Sequence, residues 1–479
     1  MEFKNLSLVE LAKAIKEQKI SSEEVTRFYI KNCEDKANLN AVLEIFYDAI
    51  DEAKLIDEKI KNGENVGKFA GVPILIKDNI SLKGKHLTCG SKFLVGYTSP
   101  YDSTVVKKLK EEGFVFIGRT NMDEFAMGSS TENSAFGICH NALDFDRVPG
   151  GSSGGSAVAV AGELSPVSLG TDTGGSVRQP SSYNGVVGMK PTYGRVSRYG
   201  IVAYGSSLDQ VGPITKTVED NAELLQVMAG ADEHDQTSLK DDNLDFTSKL
   251  NKNIKGMKIG LSNEIMDKLK QTDVYPVYEK LFNWLNEQGC EIVNVSTPNI
   301  TNTLPAYYVI AFAEVSSNLG RFDGIKYTVR NQKAKDVDEI YRKSRTDGFG
   351  KEVKRRIMLG NYVLSSGYYD AYYLKAKKVQ QKVTNEIKKA FEKVDVMLTP
   401  TTCGEAFKIG EKVNDPVSMY LEDIFTIIAN TTGVPCLSIP CGKGEHNMPL
   451  GLQIFAKHKD EATIYQLANF IEKNYKGAK

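Results

Sequence analysis

Three observations predict an α/β fold for this chain of 479 residues. Short apolar runs that read as buried strands alternate with amphipathic helices carrying capping signals. Two glycine-serine blocks, Gly150-Gly151-Ser152-Ser153-Gly154-Gly155-Ser156 and Gly170-Thr171-Asp172-Thr173-Gly174-Gly175-Ser176, each lie where a strand or loop meets a helix start. No Pro/Gly/Ser-rich linker, fixed-period repeat or low-complexity tract divides the chain, so residues 1–479 read as one large domain.

Taken in order, Ser7 is placed to cap a helix whose apolar face is Leu8, Leu11, Ala12 and Ile15. Ser21-Ser22-Glu23-Glu24 makes a capping box for a second helix carrying Val25, Phe28 and Tyr29. The stretch from Ala41 to Lys61 reads as further helix. Gly71-Val72-Pro73-Ile74-Leu75-Ile76 reads as a short buried strand, which puts Lys77 where the strand leaves the sheet. Asp102 is the expected cap of a helix carrying Val105, Val106 and Leu109 and closed by Gly113, and Phe114 to Gly118 follows as a strand. The small apolar run Ala157 to Ala161 suits a helix packed closely on a sheet, and Pro166 to Gly170 suits the strand that delivers the second block. The later half alternates again: a strand near Lys258 to Leu261, a helix over 275–288, a strand from Glu291 to Val295, and a long helical region from about 306 to 393. Strands at Val394 to Leu398, Leu437 to Ile439 and Leu450 to Phe455 precede a closing helix from about 461 to 474. The sheet is therefore expected to carry a helical elaboration between about 300 and 393.

The composition is ordinary for a globular protein, with 41% hydrophobic and 25% charged residues. Sixty basic and 61 acidic residues leave a net charge of −1, so no global field draws the chain to nucleic acid or to an anionic membrane. Any contact with RNA is then local or belongs to a partner. The basic clusters Lys107-Lys108-Leu109-Lys110 and Lys354-Arg355-Arg356 are flanked by Glu111-Glu112 and Glu352 and read as solvated helix faces. Seven scattered cysteines without CxxC spacing fit a reducing cytoplasm. The first residues lack the apolar core of a signal peptide and no stretch has the length of a membrane span, so a cytoplasmic protein with no membrane partner is expected.

A serine hydroxyl is a poor nucleophile at neutral pH and needs a neighbouring base. Of the five histidines, His86, His140, His234, His446 and His458, only His140 is near either block in sequence, which weakens a Ser-His-Asp arrangement while leaving it open. Lysine substitutes when it is neutral; bringing its pKa from about 10.4 to about 7 takes roughly 4–5 kcal/mol of desolvation and charge effects. Lys77, at the end of an apolar strand, is placed for that, although the same position also suits a lysine reaching to water. Gly150-x-Ser152-x-Gly154 and Gly151-x-Ser153-x-Gly155 match the G-x-S-x-G nucleophile elbow, but the preceding Asp144 to Pro149 is turn-like where an elbow follows a strand. The block fits neither G-x-x-x-x-G-K-[ST] nor G-x-G-x-x-G, so phosphate cradling is unsupported. Thr173-Gly174-Gly175-Ser176 has the makings of an oxyanion hole joined to its nucleophile, with successive N–H groups aimed at one spot beside the Ser176 hydroxyl.

Lys77, the first block, and the second block extended through Val177-Arg178-Gln179-Pro180 resemble the amidase signature family in order and spacing. The match runs from about 70 to 215 and takes in Gly188-Met189-Lys190-Pro191-Thr192 and Leu208-Asp209-Gln210-Val211-Gly212-Pro213. The resemblance implies a single large mixed β-sheet covered by helices on both faces. It also implies a Ser-cisSer-Lys triad, with Ser176 as nucleophile, Ser152 as bridging serine on a cis peptide and Lys77 as base. Within the family the chain is most similar, nearly end to end, to the A subunits of the glutamyl-tRNA(Gln)/aspartyl-tRNA(Asn) amidotransferases. The supporting segments are Asn121 to Asn133, Leu304-Pro305-Ala306-Tyr307-Tyr308, Arg355-Arg356-Ile357-Met358-Leu359-Gly360 and Tyr420-Leu421-Glu422-Asp423.

That likeness implies glutamine as substrate, B and C subunits as partners, and ammonia handed to a partner that binds the misacylated tRNA and uses ATP and Mg, with no cofactor in this chain. Free glutamine carries an α-carboxylate and an α-ammonium, so a specific site needs one fixed cation and one fixed anion. By resemblance Arg356 and Asp423 fill those roles, with Tyr307 and the Met127-Gly128-Ser129 loop lining the pocket. The alternatives are a stand-alone amidase with the same triad and a non-catalytic assembly subunit.

Overall fold

The computed structural model describes residues 3–241, 244–327 and 329–478. Its strands are β1 (Val42–Ile45), β2 (Pro73–Lys77), β3 (Val115–Thr120), β4 (Val167–Asp172), β5 (Val187–Lys190), β6 (Gln210–Thr215), β7 (Lys258–Ser262), β8 (Glu291–Val295), β9 (Val396–Pro400), β10 (Cys436–Lys443) and β11 (Pro449–Ala456). They form one 11-stranded sheet in the order β1-β3-β2-β4-β6-β5-β10-β11-β9-β7-β8. The sheet is mixed: β2 runs parallel to β3 and β4, and β7 runs parallel to β8 and β9, while the remaining pairs are antiparallel. Every residue of β2, β3, β4, β5, β6, β9 and β11 is buried. Because successive side chains point to opposite faces, continuous burial means that both faces of the sheet are covered.

Both N-terminal capping boxes form, Ser7 with Glu10 ahead of Leu8–Lys16 and Ser21 with Glu24 ahead of Ser22–Asp35. The expected helix from Ala41 divides: helix begins only at Ala49, and Val42–Ile45 is instead the edge strand β1, antiparallel to β3. Such a short, half-buried edge strand takes its conformation from its neighbour rather than from its own pattern. Asp102 is not the cap of Thr104–Glu111. Ser103 accepts the Val106 N–H, and Asp102 accepts the Lys83 N–H at 2.7 Å and the Lys110 ammonium at 2.9 Å. The sequence reading assigns no strand between 187 and 215, yet β5 and β6 lie there; Gly188, Gly212 and Pro213 mask strands whose ladders are completed by β4 and β10.

The elaboration consists of helices Thr303–Asn318, Val337–Gly348, Lys351–Leu364 and Lys375–Ala390. It packs over the loops at one end of the interior strands β2, β3 and β6 through its own apolar cluster, in which Phe93, Phe125, Phe322 and Phe349 pack together with Tyr307, Tyr308 and Phe312. Among the described residues no helix is long and apolar enough to cross a membrane.

Candidate active site

Because β2 and β4 are parallel neighbours, with Ile76 opposite Leu169, their C-terminal ends emerge together and bring Lys77 beside Thr171. The first block runs without a preceding strand straight into helix Gly154–Ala161, and the Gly151–Ser152 peptide is cis. These placements surround the amine of Lys77 with oxygen atoms. Its Nζ lies 2.7 Å from Ser152 Oγ, 2.8 Å from Ser153 Oγ and 2.9 Å from Thr171 Oγ1. Lys77 and Ser152 are fully buried.

Burial pushes the Lys77 amine down to about 7, against the opposing pull of Asp123, Asp172 and Asp209. Relative to an ordinary lysine, a proton on this nitrogen is disfavoured by about 5 kcal/mol. The apolar strand withdraws the side chain from water, but the nitrogen itself touches hydroxyls. Ser153 donates its own proton to Thr171 O at 3.1 Å, so its Oγ accepts from the lysine, and Thr171 Oγ1 accepts from both Lys77 and Asn79 Nδ2. A neutral amine has two N–H groups and one lone pair. With the two N–H groups taken by Ser153 and Thr171, the lone pair is left for the Ser152 hydroxyl.

Beyond β4 the second block is wrapped around a buried ion pair that sequence reasoning did not single out. Asp172 accepts the backbone N–H of Gly175 at 2.9 Å and of Val177 at 3.2 Å. All five guanidinium donors of the fully buried Arg178 are satisfied, two by Asp172 and the others by Thr426 O, Gln453 and Asn430. Burial alone would raise the Asp172 carboxyl, but Arg178 outweighs it and holds the group at about 2. Gly175 sits at φ +128°, with Thr426 where a Cβ would project, so only glycine fits. Ser176 follows that turn, 8% exposed. Arg178→Met leaves a buried carboxylate and is expected to destabilise the fold by about 3–5 kcal/mol, measured by urea denaturation. A loss under about 1 kcal/mol would refute the ion pair's structural role.

The residues expected to read glutamine also converge. A Cβ on Gly174 would collide with the Tyr307 hydroxyl, so this tyrosine lies against the second block. Ser129 Oγ donates to the Asp423 carboxylate at 3.0 Å, and Tyr308 OH donates to it at 2.6 Å. Burial pushes the Asp423 carboxyl up to about 7. Arg356, 4% exposed and so not the solvated face its basic run suggests, donates to Glu352 at 2.8 Å and to Tyr204 OH at 2.8 Å. Its guanidinium lies 5.3 Å from the Tyr420 ring centroid. Met127 and Ser129 are buried in the adjoining loop, where Gln179 ties the blocks together by donating to Ser129 O at 2.8 Å and accepting the Gly151 N–H at 2.9 Å. Gln179 and Tyr308 stand inside the recognised motifs; Thr426, far away in sequence, carries no signal there. Among the described residues, none of the five histidines has a hydrogen bond to a serine of either block; His86, His234 and His446 pair with Glu44, Asp232 and Glu405 at the surface.

A buried lysine held against the serines of a glycine-serine turn at the ends of two parallel strands has the parts of a hydrolytic site. A family model described as Amidase matches residues 24–465, and the chain belongs to the amidase family. It is 51% identical over 478 residues to the A subunit of glutamyl-tRNA(Gln) amidotransferase from Caldanaerobacter subterraneus subsp. tengcongensis, covering 99% of this chain and 98% of that one. It is 50% identical over 471 residues to the protein of the same name from Persephonella marina, covering 98% and 97%. Among solved structures, the A subunit of the Thermotoga maritima glutamyl-tRNA(Gln) amidotransferase superposes with a TM-score of 0.82 at 41% identity, over 99% of this chain and 96% of that one. The peptide amidase of Stenotrophomonas maltophilia superposes with a TM-score of 0.84 at 28% identity, over 98% and 97%.

Proposed function

We propose that the chain is the glutamine-hydrolysing A subunit of a tRNA-dependent amidotransferase, with Ser176, Ser152 and Lys77 as its catalytic triad. The observation that carries the triad is the buried Lys77 amine 2.7 Å from Ser152 Oγ on the cis peptide. Ser176 Oγ attacks the side-chain amide carbon of glutamine while its proton passes to Ser152 and the Ser152 proton passes to the lone pair of Lys77. The oxyanion is received by the N–H groups of Thr173, Gly174 and Ser176. Gly175, the fourth residue expected there, shapes the turn instead, because its N–H is held by Asp172. As the C–N bond breaks, the relay reverses and returns a proton through Ser152 to the leaving nitrogen, releasing ammonia. Water then cleaves the Ser176 ester to glutamate by the same relay.

Arg356 holds the α-carboxylate and Asp423 the α-ammonium, with Tyr307 and Met127-Gly128-Ser129 as the surrounding wall. This pair of opposite charges supports free glutamine over a peptide amide, which has neither group in that position. The ammonia serves amidation of Glu-tRNA(Gln), Asp-tRNA(Asn) or both in the cytoplasm, on a B subunit that binds the misacylated tRNA and uses ATP and Mg, with a C subunit completing the assembly.

The test is covalent labelling. A fluorophosphonate probe is expected to modify the chain at Ser176, and L-glutamine to protect it. Labelling confined to another residue, or none, would reject the triad and favour a non-catalytic assembly subunit; ready turnover of simple amides with no preference for glutamine would favour a stand-alone amidase.

A further inference from the structure

Glu124 is a buried carboxylate that the reaction above does not use. It is 3% exposed, accepts the Ser91 hydroxyl at 2.5 Å, and accepts at 2.8 Å the backbone N–H of Gly350, the residue that precedes helix Lys351–Leu364. Gly350 is the N-cap residue and offers that helix no side-chain cap; its own N–H, one of the donors that a helix start leaves without an intrahelical partner, is accepted by Glu124, 226 positions earlier. A carboxylate at this end also suits the helix dipole. The approach is close, since a Cβ on Gly350 would collide with Glu124 Oε2.

The helix that Glu124 tethers carries Arg356 on its second turn. On the other side of Glu124 the chain passes through Phe125 at φ +49° and Ala126 at φ +61°, two successive left-handed residues that are not glycine, and enters Met127-Gly128-Ser129. Left-handed conformations at such residues cost energy and persist where the surroundings fix them. Here the fixing is visible: Phe125 N–H donates to Cys89 O at 2.8 Å, and its ring packs 4.9 Å from Phe322 and 5.6 Å from Phe349, the residue before Gly350. One short segment is thus joined at one end to the helix of Arg356 and at the other to the serine that touches Asp423.

We propose that Glu124 is a positioning residue, a strut that sets the spacing between the cationic and anionic walls of the pocket and so selects the length of a free α-amino acid. The proposal rests on the assignment of Arg356 and Asp423 to the two ends of glutamine. Glu124 touches no reacting atom, so its loss acts on recognition of the charged end and not on proton relay.

The experiment measures L-glutamine binding by calorimetry in the full chain, purified with the subunits that accompany it and carrying Ser176→Ala to stop turnover, alongside KM and kcat in the chain with native Ser176. Glu124→Ala is expected to weaken glutamine binding and raise KM by about tenfold or more, with kcat within about threefold of the parent. Glu124→Gln is nearly isosteric and keeps one oxygen for the Gly350 N–H, while Ser91 reverses to accept from the new amide. It is expected to restore most of the affinity, whereas Glu124→Met, of similar size but with no acceptor for the Gly350 N–H, is not; full rescue by methionine would assign the effect to packing and overturn the strut. Gly350→Ala leaves Glu124 in place but pushes its carboxylate off the helix terminus, and carries the same expectation if Glu124→Ala does not fold. Unchanged KM in Glu124→Ala, or a fall in kcat with KM unaltered, would overturn the strut while leaving the glutamine site standing. No binding of glutamine by the Ser176→Ala parent would overturn both.

Discussion

Ser176→Ala and Lys77→Met are each expected to lower glutamine hydrolysis by about 10³-fold or more, and the double variant to lose little beyond either single one. In the proposed mechanism the nucleophile and the base act as one unit: without the relay the Ser176 hydroxyl keeps its proton, and without Ser176 the relay has nothing to activate. Residual turnover should reflect the N–H groups and the binding pocket alone. The measurement is ammonia or glutamate release, with circular dichroism confirming the fold. Multiplying losses in the double variant would show that the two side chains act independently, and a Lys77→Met enzyme of near-native rate would end the proposed mechanism. The same relay fixes the sign of the pH dependence. Lys77 accepts a proton only when neutral and its pKa is about 7, so kcat should rise as pH increases through about 7.

Asp423→Asn is expected to raise KM for glutamine by about 10²-fold while changing kcat far less, because it removes the buried anion proposed to face the α-ammonium and leaves the proposed triad untouched. Asparagine keeps the size of the side chain, so the loss reports charge. The carboxyl is pushed up to about 7 by burial. Below that pH it is neutral and binds an ammonium poorly; above it the anion forms and affinity improves. KM should therefore fall as pH rises through about 7 in the native chain, and this limb should vanish in Asp423→Asn while the kcat limb remains. Persistence of the KM limb in Asp423→Asn would assign it to another group. A kcat that falls in Asp423→Asn as far as KM rises would place Asp423 in the chemistry instead of in recognition.

The fold was largely legible where elements carry their own signals. The N-terminal capping boxes, strands β2, β4, β7, β8, β10 and β11, and the closing helix Glu461–Asn474 follow from local pattern and caps. The failures share one cause. Strand β1 at the sheet edge and strands β5 and β6, with their glycines and proline, are strands only because neighbours complete their ladders. Ser103 displaced Asp102 as a cap because the longer acid found Lys83 and Lys110. At the site, the glycine-serine blocks and Lys77 announced themselves by composition and order, whereas charge pattern alone reads Arg356 as one more member of a basic run; only the family resemblance marked it, and in the fold it is enclosed by Tyr204, Tyr308, Phe312 and Tyr420.

The chemical parts of this protein are written in the chain itself: an α/β alternation, two hydroxyl-bearing glycine turns, and a lysine at the end of a buried strand. What surrounds each part came only with packing in three dimensions. Packing put Ser152, Ser153 and Thr171 around the Lys77 amine, turned the Gly175 N–H toward Asp172, and brought Ser129 to Asp423 across 294 positions of chain. Local periodicity specifies which face of a strand or helix is buried. The distances between groups on different elements are set by sheet register and close packing, which no single segment encodes.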